Sequence, residues 1–397
     1  MRLRNNFFIG LIALGLICLP SFDAQAKDIK VGGIWGFTGA VATVQTILHQ
    51  GFEDYIKWVN DHGGVKGNKI AYSAVDSGYT VRGYLNQYWK LADSECKLIY
   101  SIDSQGGDAV RKHCDKDKMP IISGALTDNQ LWPPGWIYGV NVGYADVFAG
   151  ILDWALKNHK EKRPMRICWM TNDNPFGRAP VARCTEYAKK RGVEVFGPVF
   201  IPKVPVDITA ELGAVEKYKP DFVFMNISEA LPSTMSNVQR VGLHKKKIKF
   251  VNFWTIDQAI KAAPEACEAA LLFGSPWGIW NDQSAGMALV EKMANKYRSD
   301  GKISKMMYTV GVCHAMPFVG AIEKALEKVS ADKLTRQDIK QYGLDRMQNF
   351  DMKGISPNIT YGPDDRRGMK ETRVLRVKGG KISPLTGYIS LPDLPHK

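Results

Sequence analysis

From Ile29 onward, short apolar segments of strand character alternate with longer segments whose apolar residues recur at helical spacing. No other feature of the chain constrains its fold as much. Strands separated by helices run parallel to one another, because each helix returns the chain across a sheet face. In a first series, strands are expected at Ile29–Ile34, Ile70–Val75, Leu98–Ile102 and Pro120–Ser123, with helices over 42–60, 83–93 and 107–114. The rigid turn Trp132-Pro-Pro-Gly-Trp136 interrupts the rhythm within 131–149. A second series has strands expected at Met165–Thr171, Val193–Phe200, Asp221–Asn226, Lys249–Phe253 and Leu271–Gly274. After Pro276 the chain turns helix-rich and includes the long apolar Tyr308–Lys328; it ends in hairpin strands around Gly379-Gly380. A chain of 397 residues is too large for one comfortable core, so two lobes are expected. No flexible linker separates the series. The expectation is therefore an α/β protein of two lobes, each a mostly parallel sheet flanked by helices, joined by several crossovers. Residues 27–145 with 276–350 form the first lobe, and 146–275 with 351–397 the second.

Ahead of this series stands a leader. Arg2 and Arg4 precede an apolar stretch from Phe7 to Leu19, and Ala24-Gln25-Ala26 supplies a small-x-small cleavage site, so residues 1–26 read as a signal peptide for export. A membrane anchor is the alternative, but the run is shorter than the roughly 20 residues a spanning helix needs. Cys18 lacks the small residues that precede a lipidated cysteine. Export to the periplasm places the other cysteines in an oxidising compartment. Cys96 and Cys114 are expected at one edge of a strand–helix–strand unit, near enough to form a disulfide. Cys168 and Cys184 read as small core residues.

The formal net charge of +13 fits a nucleic-acid binder in sign, but the lysines are dispersed. The run Lys245-Lys246-Lys247 follows Gly242-Leu243 at a helix end, where cations complement the helix dipole. No nucleic acid is therefore expected, and the charge gives weak support for an anionic ligand. Gly33, Gly36 and Gly39 do not have the spacing of a dinucleotide fingerprint. With no nucleophile elbow, no phosphate loop and no clustered histidines, neither a cofactor, a metal nor a catalytic residue is expected. A flexible loop such as Gly36-Phe-Thr38-Gly39 at the carboxyl end of a parallel strand is a generic ligand edge. Ser104, opening a helix after Tyr100-Ser-Ile-Asp103, and Thr127, closing Ser123-Gly-Ala-Leu, can bind a carboxylate or simply cap helices. Trp35, Phe37, Tyr79, Trp254, Trp277 and Trp280 fall near expected strand ends. They read either as core or as the wall of an apolar pocket.

The strand, Gly/Thr loop and helix of 31–42, the turn Asn60-Asp-His-Gly-Gly-Val-Lys-Gly67 and the segment Ile122-Ser-Gly-Ala-Leu-Thr127 carry a resemblance. So, more loosely, do 51–76, 98–121, 165–177, 221–243 and 308–328. Together they resemble the type I periplasmic binding proteins that serve branched-chain amino-acid ABC importers. The resemblance implies a small-molecule receptor, probed by closure of two lobes, with an ABC permease as partner and a monomeric chain. It places the ligand carboxylate at Ser104, the backbone of Ala125 and Thr127, an aromatic packing residue at Phe176 in Asn174-Pro-Phe-Gly177, and an acid for a ligand amine at Asp257. Thr38 in the Gly/Thr loop, and Tyr79 and Trp254 at expected strand ends, are further candidates for the ligand site from their own positions. Two departures from the family pattern stand out. Phe176 has no hydroxyl, and Asp103 is unfavourable beside a carboxylate. A hydrophobic amino acid is thus the leading ligand class, with an aromatic or aliphatic acid lacking an amine as the alternative. A sensor role and a secreted α/β enzyme are the rival functions.

Overall fold

A computed structural model describes residues 27–395 except 255–256, 281 and 302; the expected leader, residues 1–26, lies outside them. Its first series forms a five-stranded sheet, parallel throughout, in the order β2-β1-β3-β4-β5. These strands are β1 (Ile29–Trp35), β2 (Ile70–Asp76), β3 (Ile99–Ser101), β4 (Ile121–Ser123) and β5 (Ile137–Gly139). A second sheet contains β6 (Arg166–Asn172), β7 (Glu194–Ile201), β8 (Phe222–Met225), β9 (Lys249–Asn252) and β10 (Leu271–Ser275), parallel and ordered β10-β9-β8-β6-β7. Beside β10, β11 (Glu371–Lys378) runs antiparallel and pairs in turn with β12 (Lys381–Pro384) and β13 (Ile389–Ser390). Gly379 and Gly380, both at positive φ, make the tight turn between β11 and β12 that a side chain would strain.

The chain passes between the two sheets three times: after β5, after β10 and again before β11. The middle passage brings the helix Lys305–Ala325 back against the first helix, Ala42–Asp61. Both surfaces are stripped to glycine at the crossing. A Cβ on Gly51 would lie 2.1 Å from the Tyr308 carbonyl oxygen, and one on Gly311 2.0 Å from that of Leu48. Backbone therefore meets backbone, and Gly311→Val should destabilise the protein by at least about 2 kcal/mol through overpacking. A lower urea midpoint at unchanged slope would show this; an unchanged midpoint would refute it. On this topology we propose the lobe boundaries expected from sequence, with one adjustment. Residues 351–369 join the first lobe, because the Gly139 amide donates to the Arg366 carbonyl (2.8 Å) and Arg367 bridges Gly139 at the edge of that sheet.

The helix Tyr144–Asn158 escaped sequence reading. Every residue from Tyr144 to Leu152 is buried, so the segment has no polar face to betray its period. The expected Cys96–Cys114 disulfide is corrected: both sulfurs are free. The Cys96 thiol points to the Leu98 carbonyl (3.3 Å) and the Cys114 thiol to the Arg111 carbonyl one helical turn back (3.1 Å). Burial pushes them up to about 11 and about 12, so thiolates do not form readily at neutral pH. Among the described residues, no helix is long and apolar enough to cross a membrane.

Candidate functional site

Parallel strands present their carboxyl ends to one side, and a crevice opens where the strand order reverses. In the first sheet that point lies between β1 and β3; in the second it lies between β6 and β8. A narrow cavity of about 40 Å³ sits where these edges meet. Segments after seven strands contribute to it, through Val41, Tyr79, Ser104, Ala125, Phe176, Glu229 and Trp254 among others.

Each loop is held by a local device. Gln45 straps two of them, accepting from the Gly36 amide (2.7 Å) and donating to the Ile102 carbonyl (2.9 Å). Asp76 ties the loops after β1 and β2: its Oδ1 accepts the amides of Phe37 (2.9 Å) and Gly78 (2.9 Å), and its Oδ2 the Thr38 hydroxyl (2.7 Å). Tyr79 follows at φ 52°, a left-handed conformation rarely adopted by a bulky residue, which turns its ring to the cavity. On the opposite side, Asn174 caps the Gly177 amide (2.7 Å), and Asn226 holds the Phe176 carbonyl (2.7 Å). A Cβ on Gly177 would lie 2.1 Å from the Asn172 carbonyl oxygen, so only glycine permits this turn. Phe176 meets Tyr144 edge to face (5.4 Å), and Trp254 stacks on buried Trp277 (5.2 Å). The wall is mostly apolar, with Tyr79, Tyr144, Phe176 and Trp254 joined by Val41, Val44, Leu48 and Ile102.

Five of the residues expected from sequence line this cavity: Tyr79, Ser104, Ala125, Phe176 and Trp254. Three are placed elsewhere and are corrected. The Thr38 hydroxyl is consumed by Asp76. Thr127 donates its hydroxyl to Asp108, an acid on the neighbouring helix. Asp257 accepts from Ser304 and borders a separate cleft with Lys261, Trp280 and Lys305. Of the other aromatics considered, Trp35 is core, donating to the Tyr72 hydroxyl (2.6 Å), and Trp280 donates to the Lys305 carbonyl (3.0 Å).

The expected amide cradle is also filled from within the protein. Asp103, not Ser104, caps the helix Ser104–Lys116, and its Oδ1 accepts the amides of Gln105 and Gly106 (both 2.9 Å). The Ala125 amide donates to Ser123 Oγ (3.2 Å). Burial pushes the Asp103 carboxyl up, the two amide bonds opposing. What sequence reading missed is Glu229, in the loop after β8. Ser228 donates to it, and burial pushes its carboxyl up as well. Glu229 follows the strand before the one that leads to Asp257. Tyr144 was missed with its helix; its hydroxyl is within reach of Ser104 and the Leu126 backbone. Among the described residues, no cluster of three acidic, histidine or cysteine side chains is spaced to hold a metal ion.

A family model described as periplasmic binding protein matches residues 28–381. The chain belongs to the periplasmic binding protein family. Among solved structures, this periplasmic binding protein is similar to a branched-chain amino-acid ABC transporter protein from Thermus thermophilus with bound valine. Identity is 19% and the TM-score 0.81, over 92% of this chain and 97% of that one. It is also similar to a fatty acid ABC transporter substrate-binding protein from Thermomonospora curvata, at 20% identity and TM-score 0.78, over 92% of each chain. A third is a solute binding protein of an ABC transporter from Rhodopseudomonas palustris BisB5 in complex with 3,4-dihydroxy benzoic acid (18% identity, TM-score 0.73, 93% of this chain and 98% of that). At these identities the likeness establishes the two-lobe fold. No curated protein sequence matches.

Proposed function

We propose that the cavity takes a small hydrophobic amino acid and that the protein delivers it, from the periplasm and as a monomer, to an ABC permease. The observation that carries this reading is Glu229, a half-buried acid in a cavity lined otherwise by aromatic, aliphatic and uncharged polar side chains, with the Ser228 hydroxyl donating to it. A buried carboxylate is costly unless a cation pairs with it, and a ligand ammonium supplies that cation. Glu229 thus takes the role that the sequence assigned to Asp257. Ser104 and the Tyr79 and Tyr144 hydroxyls are the donors for the ligand's acid end, and Phe176 and Trp254 enclose its side chain. Ligand contacts to both lobes favour the closed form, which a permease can distinguish from the open one. No covalent step is required.

Calorimetry on protein refolded free of co-purified ligand tests the reading. Leucine, isoleucine, valine or phenylalanine should bind, and 4-methylpentanoate, which is leucine's skeleton without the amine, should not. Binding restricted to amine-free acids such as 3,4-dihydroxybenzoate would favour the alternative ligand class. Turnover of any of these compounds would favour an enzyme. Loss of chemotactic or transcriptional response, with uptake intact, in a deletion strain would favour the sensor.

A further inference from the structure

With the helix-start amides taken by Asp103 and the Ala125 amide by Ser123, a ligand carboxylate entering this cavity finds hydroxyls but no free cradle. It also finds an acid in the lining, Glu229, and a second, Asp103, beside the lining residue Ser104 in sequence. None of the cavity's lining residues among those described is a lysine, arginine or histidine. Hydroxyl donors hold a desolvated carboxylate less strongly than a charge-assisted bond does, so a cation reaching in from outside the lining strengthens the site.

One cation stands at the mouth. Lys203 belongs to the second lobe, in the loop between β7 and the helix Thr209–Lys217. Its Nζ lies 5.6 Å from the centre of the Tyr79 ring, which belongs to the first lobe and lines the cavity. Both ends of the loop are anchored. Asn172 holds the Ile201 and Pro202 carbonyls (3.1 and 3.0 Å), and Arg240 grips Asp207 (2.7 Å). Between the anchors the loop stands out in solvent, with Val204 68% and Val206 88% exposed. Lys203 is exposed too, and its charge is felt at both Asp103 and Glu229. A long flexible stem ending in an ammonium can leave an aromatic face for a stronger partner at little cost, because an exposed cation–π contact is worth only about 0.5–1 kcal/mol.

We propose that Lys203 is a specificity-determining residue: it leaves Tyr79 to pair with the ligand carboxylate across the closing lobes. This rests on the amino-acid reading above. It gives the pocket a division of labour, Glu229 inside for the amine and Lys203 at the mouth for the acid. Because the cation comes from the lobe opposite Ser104, the same contact ties carboxylate recognition to closure.

The test compares each amino acid with its carboxamide, which keeps the amine and side chain but lacks the negative charge. Leucine, isoleucine, valine and phenylalanine are titrated into the wild-type protein by calorimetry, and the tightest is carried forward with its amide. Lys203→Gln should weaken the amino acid about tenfold or more and leave the amide within about twofold, with Lys203→Arg restoring most of the loss. Equal weakening of acid and amide, or undiminished affinity for the acid, overturns the proposal while leaving the amino-acid reading intact. Failure of the wild-type protein to bind any of the four removes both.

Discussion

Glu229→Gln should weaken binding of a hydrophobic amino acid by at least thirtyfold and up to several hundredfold. Glutamine keeps the shape of the side chain and can still accept one hydrogen bond, so the loss reports charge rather than packing. Hydrogen bonds involving a charged group contribute about 1.5–3 kcal/mol, and truncating one partner of a buried charge pair costs about 2–5 kcal/mol. Calorimetry of leucine against both proteins measures it. Because burial pushes the free carboxyl up, wild-type affinity should fall at a higher pH than an ordinary glutamate would give, as the group is protonated and its attraction for ammonium is lost. The glutamine variant should show no such fall. A raised carboxyl also means that the folded state gains stability from this group as pH falls through its folded value, and lacks that gain at neutral pH. Glu229→Gln should therefore be no less stable than wild type at pH 7. Leucine binding unchanged by the substitution would exclude the amine-recognition role.

The largest loss of stability is expected at Arg367. Its guanidinium reaches three carboxylates: Asp146 (2.7 Å) on the buried helix, Asp365 (2.9 Å) beside it in sequence, and Asp393 (2.7 Å) near the C-terminus. Arg183 supports the same cluster, pairing with Asp128 (2.7 Å) and donating to the Leu394 carbonyl (2.7 Å). The Arg367 side chain is 8% exposed and that of Asp146 4%. Arg367→Ala would leave three acids facing one another with Arg183 alone near Asp146, so a cost of about 3–5 kcal/mol is expected. Chemical denaturation measures it. Arg367→Lys should recover only part, because an ammonium cannot fork to three partners as a guanidinium does. Burial pushes the Asp365 carboxyl up, but bonds from Arg367 and Lys370 outweigh it and hold the group well below the usual carboxylate range. A depressed folded value means that this stabilisation is fully present above the unfolded carboxylate value of about 3.9 and is lost as pH falls further. In Arg367→Ala that contribution should shrink and acid unfolding should begin at higher pH. An alanine variant within about 1 kcal/mol of wild type would show the network to be dispensable.

Short-range signals account for what could be read before folding. Strand ends such as Trp35, Asp76 and Asn172 follow from where apolar runs stop, and parallel topology then turns those ends to one edge. That is why Tyr79 and Trp254 could be picked out as falling near strand ends and Ser104 as a helix start, whereas Ala125 and Phe176 were named through the resemblance to the family. Asn174, Pro175 and Gly177 spell out the turn that presents Phe176 because capping and steric rules act within a few residues.

Tertiary structure decided the rest, because the deciding partners are remote in sequence. The order β9-β8-β6-β7 puts the loop after β8 beside the loop after β6, and so brings Glu229 rather than Asp257 to face Phe176. Thr127 is spent on Asp108 and Thr38 on Asp76, pairings no local pattern announces. The stretch Tyr144–Leu152 is buried at every position and shows no exposed face to read, because other parts of the chain cover it. By itself the sequence determined the elements, their alternation and the edge at which a ligand can bind, since these follow from local periodicity. Which side chains remain available at that edge was settled only when distant segments packed, because hydrogen bonds and charge pairs are won by whatever folding brings within reach.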